Sequence, residues 1–546
     1  MVAQLLDIFG FLSVLLRGAA LALQSLVIGG AVFSVWILKP VETQWEPQVQ
    51  EMLQSCRRLI FWSALALACV QSCYVAADSA VLLATTGLRL RDVAGAGFFV
   101  AGAAGAFAAL ITAAIVRRYS WRPTPALLAP SAVILAALVT TGHAAARMQG
   151  RFALVALSAS HQAATACWIG GLVYLLLALG RCTEACIAQS LCRRFSRMAV
   201  ISVVILAGAG SAMSMAYVGS LEAIYGTTYG TMVACKAILL SVLLIAGGFN
   251  FFVVRQFPVS IALLLRLRRF AEAEVGIGFT VVLAAASLSS QPPAVDLATG
   301  RVSASEIAQR LSPVWPRLQT PPLSAMSPPT PLLFADSASQ PAGPQSFVPG
   351  AVYHPNTPAD IAWSEYNHHW AGLIVLIVGL LAVAARCPGL SWARHWPLAF
   401  LGLAVFLFLR ADPENWPLGP RSFWQSFAVP EVLQHRLFVL LIVAFAAFEW
   451  GVETGRIASS WAALVFPGVC AAGGALLLTH SHSLGNIKEE LLAELSHIPL
   501  AILAVIAGWT RWIELRVSGH LQRILTWIWP VCFVLIGLVL LNYREA

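Results

Sequence analysis

Residues 11–38 read FLSVLLRGAALALQSLVIGGAVFSVWIL, an apolar run with only a few polar interruptions. A helix needs about 20 mostly apolar residues to cross a bilayer, so this run is long enough. It is too long for the core of a signal peptide and lacks a basic leader, so we expect it to be retained as a helix. Similar runs recur along nearly the whole chain, which predicts an all-α polytopic transmembrane helical bundle rather than a β-barrel.

The composition agrees with a chain that lies mostly in lipid. Of the 546 residues, 59% are hydrophobic and only 11% are charged, whereas about a quarter of the residues of a soluble domain are charged. The formal net charge of +9 could indicate a nucleic-acid partner, but the basic residues lie in short loops between apolar runs. Basic loops of this kind set membrane topology, so the lipid bilayer is the expected partner and nucleic acid is not.

The apolar runs predict about fourteen spans in two blocks. The predicted domains are a membrane block at 1–290, a periplasmic linker at 291–365 and a second membrane block at 366–546. The first block has spans centred near residues 25, 70, 105, 134, 165, 208, 241 and 281. The second has spans centred near residues 377, 402, 442, 468, 503 and 533.

Proline density marks the linker, which carries about half of the chain's 29 prolines. Proline opposes helix and favours extended, solvated chain. A short helix near 304–311 is the one regular element expected there.

Most of the 34 Lys and Arg residues lie in the loops on one side of the predicted spans. The richer side should be cytoplasmic. The chain is therefore expected to lie in a bacterial inner membrane, with both termini and the linker in the periplasm.

Most of the 11 histidines fall at the predicted outer ends of spans. Carboxylates accompany several of them three or four residues away, on the same helix face. Imidazole binds transition metals, and a carboxylate can orient the ligating ring. The pattern predicts metal ligands at His143, His161, His368, His369, His435, His480, His482 and His497, with orienting carboxylates at Glu365, Glu431, Glu490 and Glu494. Polar residues that only cap helices at the interface are the alternative.

The first block adds Met213 and Met215, which end the sixth span on the outer side. Thioethers favour Cu(I), although a lone Met more often fills a gap in packing. The two residues are two apart, so on a regular helix they should point in different directions. Lys236 and Glu274 lie within spans, where charge is costly and often functional. The outer loop 412–420 could cover the histidines of the second block, or could be an ordinary turn.

The first block resembles the copper resistance D family of bacterial inner-membrane proteins. The resemblance rests on Thr141-Gly-His143, His161-x6-Trp168-x-Gly170-Gly171-Leu172, Arg194-Phe195-Ser196, Tyr229-Gly230-x5-Lys236, Asn250, and Glu274 followed by Pro292-Pro293. The second block looks like the C-terminal membrane extension of longer members. Its matching segments are Asn367-His368-His369-Trp370-Ala371-Gly372, Gln434-His435-Arg436, Thr479-His480-Ser481-His482 and Glu494-Leu495-Ser496-His497. The resemblance implies copper handling, often beside a periplasmic copper-binding partner.

Three functions follow from these observations. The first is copper transport, import or resistance, with His and Met ligands at the periplasmic face. The second is a membrane redox protein that holds haem b between paired histidines of the second block, such as His369 with His435 or His480 with His497. The third is an assembly subunit without catalysis. No phosphate loop or nucleophile elbow is present, so a transporter or metal-binding protein is expected rather than an enzyme.

Overall fold

The computed structural model describes residues 2–42, 46–118, 125–182, 184–255, 261–297, 301–325, 357–427, 430–479 and 487–545. Most of these residues are helical, and within these ranges the only β-type pairing is an isolated bridge between Asn415 and Arg421. The predicted all-α class is therefore confirmed. The chain divides into two compact units: unit 1 is Met1–Arg301 with Leu478–Ser481, and unit 2 is Val302–Leu477 with His482–Ala546.

The described residues of unit 1 form eight apolar helices. They are α1 (Val2–Phe33), α2 (Glu46–Thr86), α3 (Gly97–Arg117), α4 (Leu128–Thr140), α5 (Arg151–Thr165), α6 (Ala185–Tyr217), α7 (Thr228–Arg255) and α8 (Ile261–Ser290). Helix α1 continues through a π-helical turn, Ser34–Leu38, into Lys39–Glu42, and α5 continues through a π-helical turn, Ala166–Gly170, into Gly171–Leu179. Short helices at Leu90–Ala94, Pro125–Leu127, His143–Ala146, Leu221–Gly226 and Ala294–Asp296 complete the unit.

In the part of unit 2 that the structure describes there are six apolar helices. They are α9 (Pro358–Ala384), α10 (Phe400–Arg410), α11 (Pro430–Glu453), α12 (Val465–Leu477), α13 (Ile487–Glu514) and α14 (His520–Leu541). A 3₁₀ segment, Ser391–Ala399, leads into α10, and short helices lie at Ala304–Leu311, Leu323–Ala325, Phe423–Ser426 and Ala462–Leu464.

Each predicted span centre falls in one of these fourteen helices. Twelve of the apolar segments are long and apolar enough to cross a membrane. The other two, Pro125–Thr140 and Ala462–Leu477, are shorter. A 16-residue helix is about 24 Å long, less than the roughly 30 Å of a hydrocarbon core. The number of crossings therefore stays a prediction.

The segment that the sequence marks as a linker begins with structure. The expected short helix forms at Ala304–Leu311, where Ser303 and Glu306 make a capping box. The Arg310 Nη1 atom donates to the backbone oxygen of Glu545 at 2.7 Å, and the Val314 backbone N–H donates to Asn542 Oδ1 at 3.1 Å. The described part of this segment thus packs on the C-terminal end of unit 2.

The two units pack their helices differently. In unit 1, α1 crosses the π-helical turn after α5 so closely that a Cβ added to Gly170 would lie 1.9 Å from the Ser25 carbonyl oxygen. Small residues permit such backbone contact between membrane helices. Unit 2 instead has a core of large rings, with Trp396 and Trp529 packed around Phe466 at centroid distances of 5.3 and 5.4 Å.

Candidate metal-binding residues and a membrane cavity

His143 opens the short helix that follows α4, and its ring packs against two tyrosines. The ring centroids of Tyr217 and Tyr229 each lie 6.4 Å from that of His143. Within the described residues, the buried His143 Nε2 atom has no hydrogen-bond partner. Burial lowers the pKa of His143, and the Arg17 and Arg147 cations lower it further. The ring is therefore neutral at pH 7, which is the form that binds metals.

Arg147 lies beside this cluster of rings. Its guanidinium group forms an ion pair with Asp296 at 2.8 Å and lies 5.8 Å from the Tyr217 ring centroid. The cation is thus held by a carboxylate and an aromatic face beside His143.

His161 lies on α5 and faces α6. A Cβ added to Gly210 would lie 3.3 Å from the His161 Cε1 atom, so the lack of a side chain at Gly210 makes room for the ring. The buried Nδ1 atom of His161 has no hydrogen-bond partner among the described residues. Lys236 of α7 is close enough to interact electrostatically with this ring. His161 therefore has an open ring nitrogen inside the bundle of unit 1.

Met213 and Met215 point in different directions, as expected for a regular helix. Met213 packs against the cluster that contains Tyr217 and Tyr229, the same rings that His143 contacts. Met215 is 78% exposed. Only Met213 therefore lies with a candidate histidine, and it is three residues beyond Gly210 on the same face of α6.

Several residues of the sequence motifs that resemble the copper resistance D family line a cavity of about 390 Å³ in unit 1. Trp168, Phe195, Asn250 and Glu274 line it. Glu274 is 3% exposed and accepts a hydrogen bond from Asn250 Nδ2. The sequence motifs contain these residues, but the candidate site predicted from the sequence did not include them. The signal that could have found the cavity is the carboxylate of Glu274 within an apolar span.

In unit 2, His368 and His497 come together across α9 and α13. Their ring centroids are 6.4 Å apart, and the Tyr543 ring stacks on His368 at 3.7 Å. With a metal–nitrogen distance of about 2 Å, two imidazoles that share one ion from opposite sides have centroids roughly 6 Å apart. The observed spacing of 6.4 Å is close to that value, and the two ring planes are 78° apart. The Nδ1 atom of His368 already bonds to the Ser364 carbonyl oxygen at 2.8 Å, which leaves Nε2 as its ligating atom.

His369 faces the other way and joins three parts of unit 2. Its Nδ1 accepts the backbone N–H of Arg317 at 2.7 Å, and its Nε2 bonds to the carbonyl oxygen of Tyr543 at 2.8 Å. The Arg317 side chain also pairs with Glu365 at 3.1 Å. Both ring nitrogens of His369 are thus used by backbone groups, and Glu365 pairs with an arginine.

His435 lies at the start of α11 beneath the loop 412–420. Its Nδ1 atom is 2.8 Å from the carboxylate of Asp412, the first residue of that loop. The neighbouring Arg436 donates to the carbonyl oxygens of Phe408 and Trp416 at 2.6 and 2.8 Å. The loop therefore contacts both His435 and Arg436, while the His435 side chain stays 43% exposed.

The other residues of the predicted site are two histidines and three glutamates. His480 and His482 lie outside the described residues, as do the side chains of Glu431 and Glu490. Glu494 is buried at 2% exposure. Among the described residues, no three His, Cys, Asp or Glu side chains form a group that could hold an ion.

A buried ionic cluster at the opposite ends of these helices was not predicted from the sequence. Arg511 of α13 pairs with Glu453 at 3.1 Å and with Glu514 at 2.8 Å. Arg386 lies 3.9 Å from Glu453, and Glu449 is 1% exposed. The cluster links the C-terminal ends of α9, α11 and α13. The signal that could have found it is the set of charged residues at these three helix ends.

Comparison with known proteins gives two matches. The family model described as copper resistance protein D matches residues 189–288. Over 162 residues, the chain is 26% identical to Copper transport protein CutJ of Bacillus subtilis (strain 168). This alignment spans 29% of the present chain and 29% of that protein. No solved structure gives a significant match.

The family match lies within unit 1 and covers α7, nearly all of α8 and most of α6. It includes Met213, Lys236, Asn250 and Glu274, and most of the residues that line the cavity. The matches confirm the resemblance predicted from the sequence: residues 189–288 of unit 1 are similar to the copper resistance protein D family.

Proposed function

We propose that this protein transports copper across a bacterial plasma membrane, and that unit 1 carries the ion. The copper resistance protein D segment supports a copper-related function, and the relative's name as a copper transport protein supports transport. The twelve long apolar helices support a multi-pass membrane location.

The observation that carries the proposal is the pair of buried, unpartnered ring nitrogens in unit 1, among the described residues. A buried polar atom without a partner costs about 1–3 kcal/mol, so its persistence at two histidines calls for an explanation. His143 Nε2 and His161 Nδ1 are both such atoms. Imidazole nitrogen and the nearby Met213 thioether are ligands that copper accepts.

Copper binds at the two histidines one after the other. His143 and Met213 contact the same tyrosine cluster near the ends of their helices, and His161 lies beside Gly210, one turn further into α6. Copper binds first at His143 and Met213 and then moves to His161, from the periplasmic side inward. A periplasmic copper-binding protein is the expected donor.

Unit 2 supplies a second copper site at His368 and His497. Imidazole nitrogens bind copper, and the centroid distance of 6.4 Å places the two rings close enough to hold one ion. This site would hold copper near the periplasmic linker, as a reservoir or sensor.

The same ring distance supports haem b as the alternative cofactor. His368 and His497 would hold the haem, which would supply one-electron redox chemistry. His369 is a poor partner for this role, since both of its ring nitrogens bond to backbone groups. An absorption spectrum separates the two cofactors, because haem gives a Soret band and Cu(I) does not.

The test is elemental analysis and an absorption spectrum on protein purified from copper-fed cells. We expect bound copper and no Soret band in the wild type. A variant with both His143→Ala and His161→Ala should bind less copper, and cells that express it should accumulate less. His395→Ala is the matched control, because His395 is exposed and bonds to Trp450. Wild-type copper binding and accumulation in the double variant would exclude unit 1 as the carrier.

A further inference from the structure

The cavity of unit 1 opens on the surface that faces lipid. It lies between the continuation of α5 and helices α6, α7 and α8. Three of its lining residues, Val200, Val204 and Leu244, are 45%, 67% and 41% exposed. At about 390 Å³, it is within the size range of small-molecule sites. A molecule dissolved in the bilayer can therefore reach it sideways.

Glu274 and Asn250 contribute acceptor oxygens to the wall of the cavity. Glu274 has no ion-pair partner within the described part of the chain, and its one donor is Asn250 Nδ2. The Oδ1 atom of Asn250 is buried and has no partner there either. An unpaired carboxyl group in an apolar membrane site is costly and tends to mark function. The second carboxyl oxygen and the amide oxygen together call for a hydrogen-bond donor.

The other side chains of the wall favour a ligand that contains an aromatic ring. Trp168, Phe195 and Phe251 all line the cavity, and aromatic side chains stack on other rings or meet them edge-on. From the aromatic wall and the two acceptors, we propose that this cavity binds a lipid-soluble phenol, whose hydroxyl group donates to Glu274 or Asn250. The proposal does not depend on the copper function.

Other occupants fit the wall less well. A lipid acyl chain would fill the space but has no donor for the two oxygens. Cu(I) prefers sulfur and nitrogen ligands, whereas the two unfilled acceptors here are oxygens. A phenol fits the apolar walls and donates a hydrogen bond to one of the two acceptors.

The test uses a para-alkylphenol with a photoreactive diazirine on its chain, added to the full protein in nanodiscs. Cross-linked peptides are identified by mass spectrometry. We expect labelling in segments 192–204 and 244–254, which line the cavity. Unlabelled para-nonylphenol should compete at concentrations about tenfold lower than its methyl ether, para-nonylanisole, because the ether lacks the donor.

Variants test the geometry directly. Gly248→Leu places a side chain where no atom lies within 4 Å of the added Cβ, and Gly248 lines the cavity, so labelling should be lost. Gly208→Leu is the control, because it also has open space but does not line the cavity. Glu274→Gln replaces one carboxyl oxygen by an amide N–H₂ group, which donates rather than accepts, and should reduce competition by para-nonylphenol about tenfold.

If Gly248→Leu does not fold, Gly247→Ala replaces it. Its added Cβ would lie 3.5 Å from Glu274 Oε2, an ordinary contact that shields the acceptor, so labelling should fall. Equal competition by the phenol and its ether would overturn the proposal. So would labelling spread evenly over all lipid-facing helices, or labelling unchanged in both the glycine and the Glu274 variants.

Discussion

At the scale of single residues, the histidines of this protein differ in whether a ring nitrogen is available. His143 and His161 each have a buried nitrogen without a partner among the described residues. His369 has both nitrogens bonded to backbone groups. The first two suit a ligand role, and the third suits a structural one.

Met213 and Met215 offer a matched test of the copper site in unit 1. We expect Met213→Leu to weaken Cu(I) binding about tenfold, or roughly 1.4 kcal/mol, because a thioether that packs against the tyrosine cluster contacted by His143 is replaced by a hydrocarbon of similar volume. Met215→Leu should have no effect, since Met215 is exposed on the other side of α6. Competition with a Cu(I) chelator measures both affinities, and equal effects would remove Met213 from the site.

We expect substitutions at His369 and at its neighbour His368 to have different effects, one on the stability of the protein and the other on copper binding. His369→Ala removes two hydrogen bonds and leaves the Arg317 N–H without its acceptor, so we expect a loss of about 1–3 kcal/mol of stability. Thermal unfolding and proteolysis near residue 317 measure this loss, with copper bound by unit 1 unchanged. His368→Ala should instead reduce the copper bound by unit 2. Loss of copper in His369→Ala without loss of stability would reverse these roles.

The sequence located these histidines at helix ends but did not indicate which nitrogens are occupied. The partners of His369 are the backbone groups of residues 317 and 543, which are far from it along the chain. Local spacing carries no information on such contacts. The same reason explains why the cavity was missed, because Trp168, Asn250 and Glu274 meet only when three helices pack.

At the scale of helices, the crossing of α1 over the π-helical turn after α5 positions the motif residues of unit 1. Gly29 and Gly170 form this crossing from opposite sides: a Cβ at Gly29 would lie 2.4 Å from the Ala166 carbonyl oxygen. The turn lies between His161 and the continuing helix that carries Leu172. The position of the cavity wall therefore depends on backbone contact at this crossing.

Gly170→Ala should disturb this crossing. The added methyl group would meet the Ser25 carbonyl oxygen, so α1 must shift, and overpacking of this kind costs about 1–3 kcal/mol. A lower unfolding temperature in detergent and weaker binding at His161 are expected. Gly208→Ala is the control because nothing lies near its added Cβ. An unchanged unfolding temperature for Gly170→Ala would show that the crossing tolerates a wider spacing.

Helix positions were the most predictable level of the fold. In lipid every backbone group must be satisfied within its own helix, so a long apolar run has few alternatives. All fourteen predicted centres fall in helices for this reason. The π-helical turn Ala166–Gly170 was not predicted, because it results from packing against α1 rather than from local composition.

At the scale of the whole molecule, the ionic cluster stabilises unit 2 at the helix ends away from the histidines. Arg511→Met would leave Glu453 and Glu514 without their shared cation in a buried place. Breaking a buried ion pair from one side costs about 3–5 kcal/mol, so a large fall in thermal stability is expected. Arg523→Met is the control, since Arg523 is exposed. A small effect at Arg511 would mean that water reaches the cluster.

Topology is a separate whole-molecule prediction. We expect both termini to lie in the periplasm, since loops rich in Lys and Arg remain in the cytoplasm. Tags at either end should react with a membrane-impermeant reagent added to spheroplasts, and a tag in the loop after Arg117 should not. Protection of the amino-terminal tag would place the histidines of unit 1 on the cytoplasmic side and reverse the proposed direction of copper entry.

The few residues that follow α14 have a practical consequence for anyone who shortens or labels this protein. Tyr543 supplies the ring beneath His368 and the carbonyl group that holds His369, while Asn542 and Glu545 fasten the stretch that begins at Ala304. Deleting these residues would remove the ring that stacks on His368, a candidate ligand. The same deletion would remove the hydrogen bonds that hold the first part of the proline-rich linker on unit 2. Affinity handles are better inserted in the loop after Arg117 than fused at the carboxyl end.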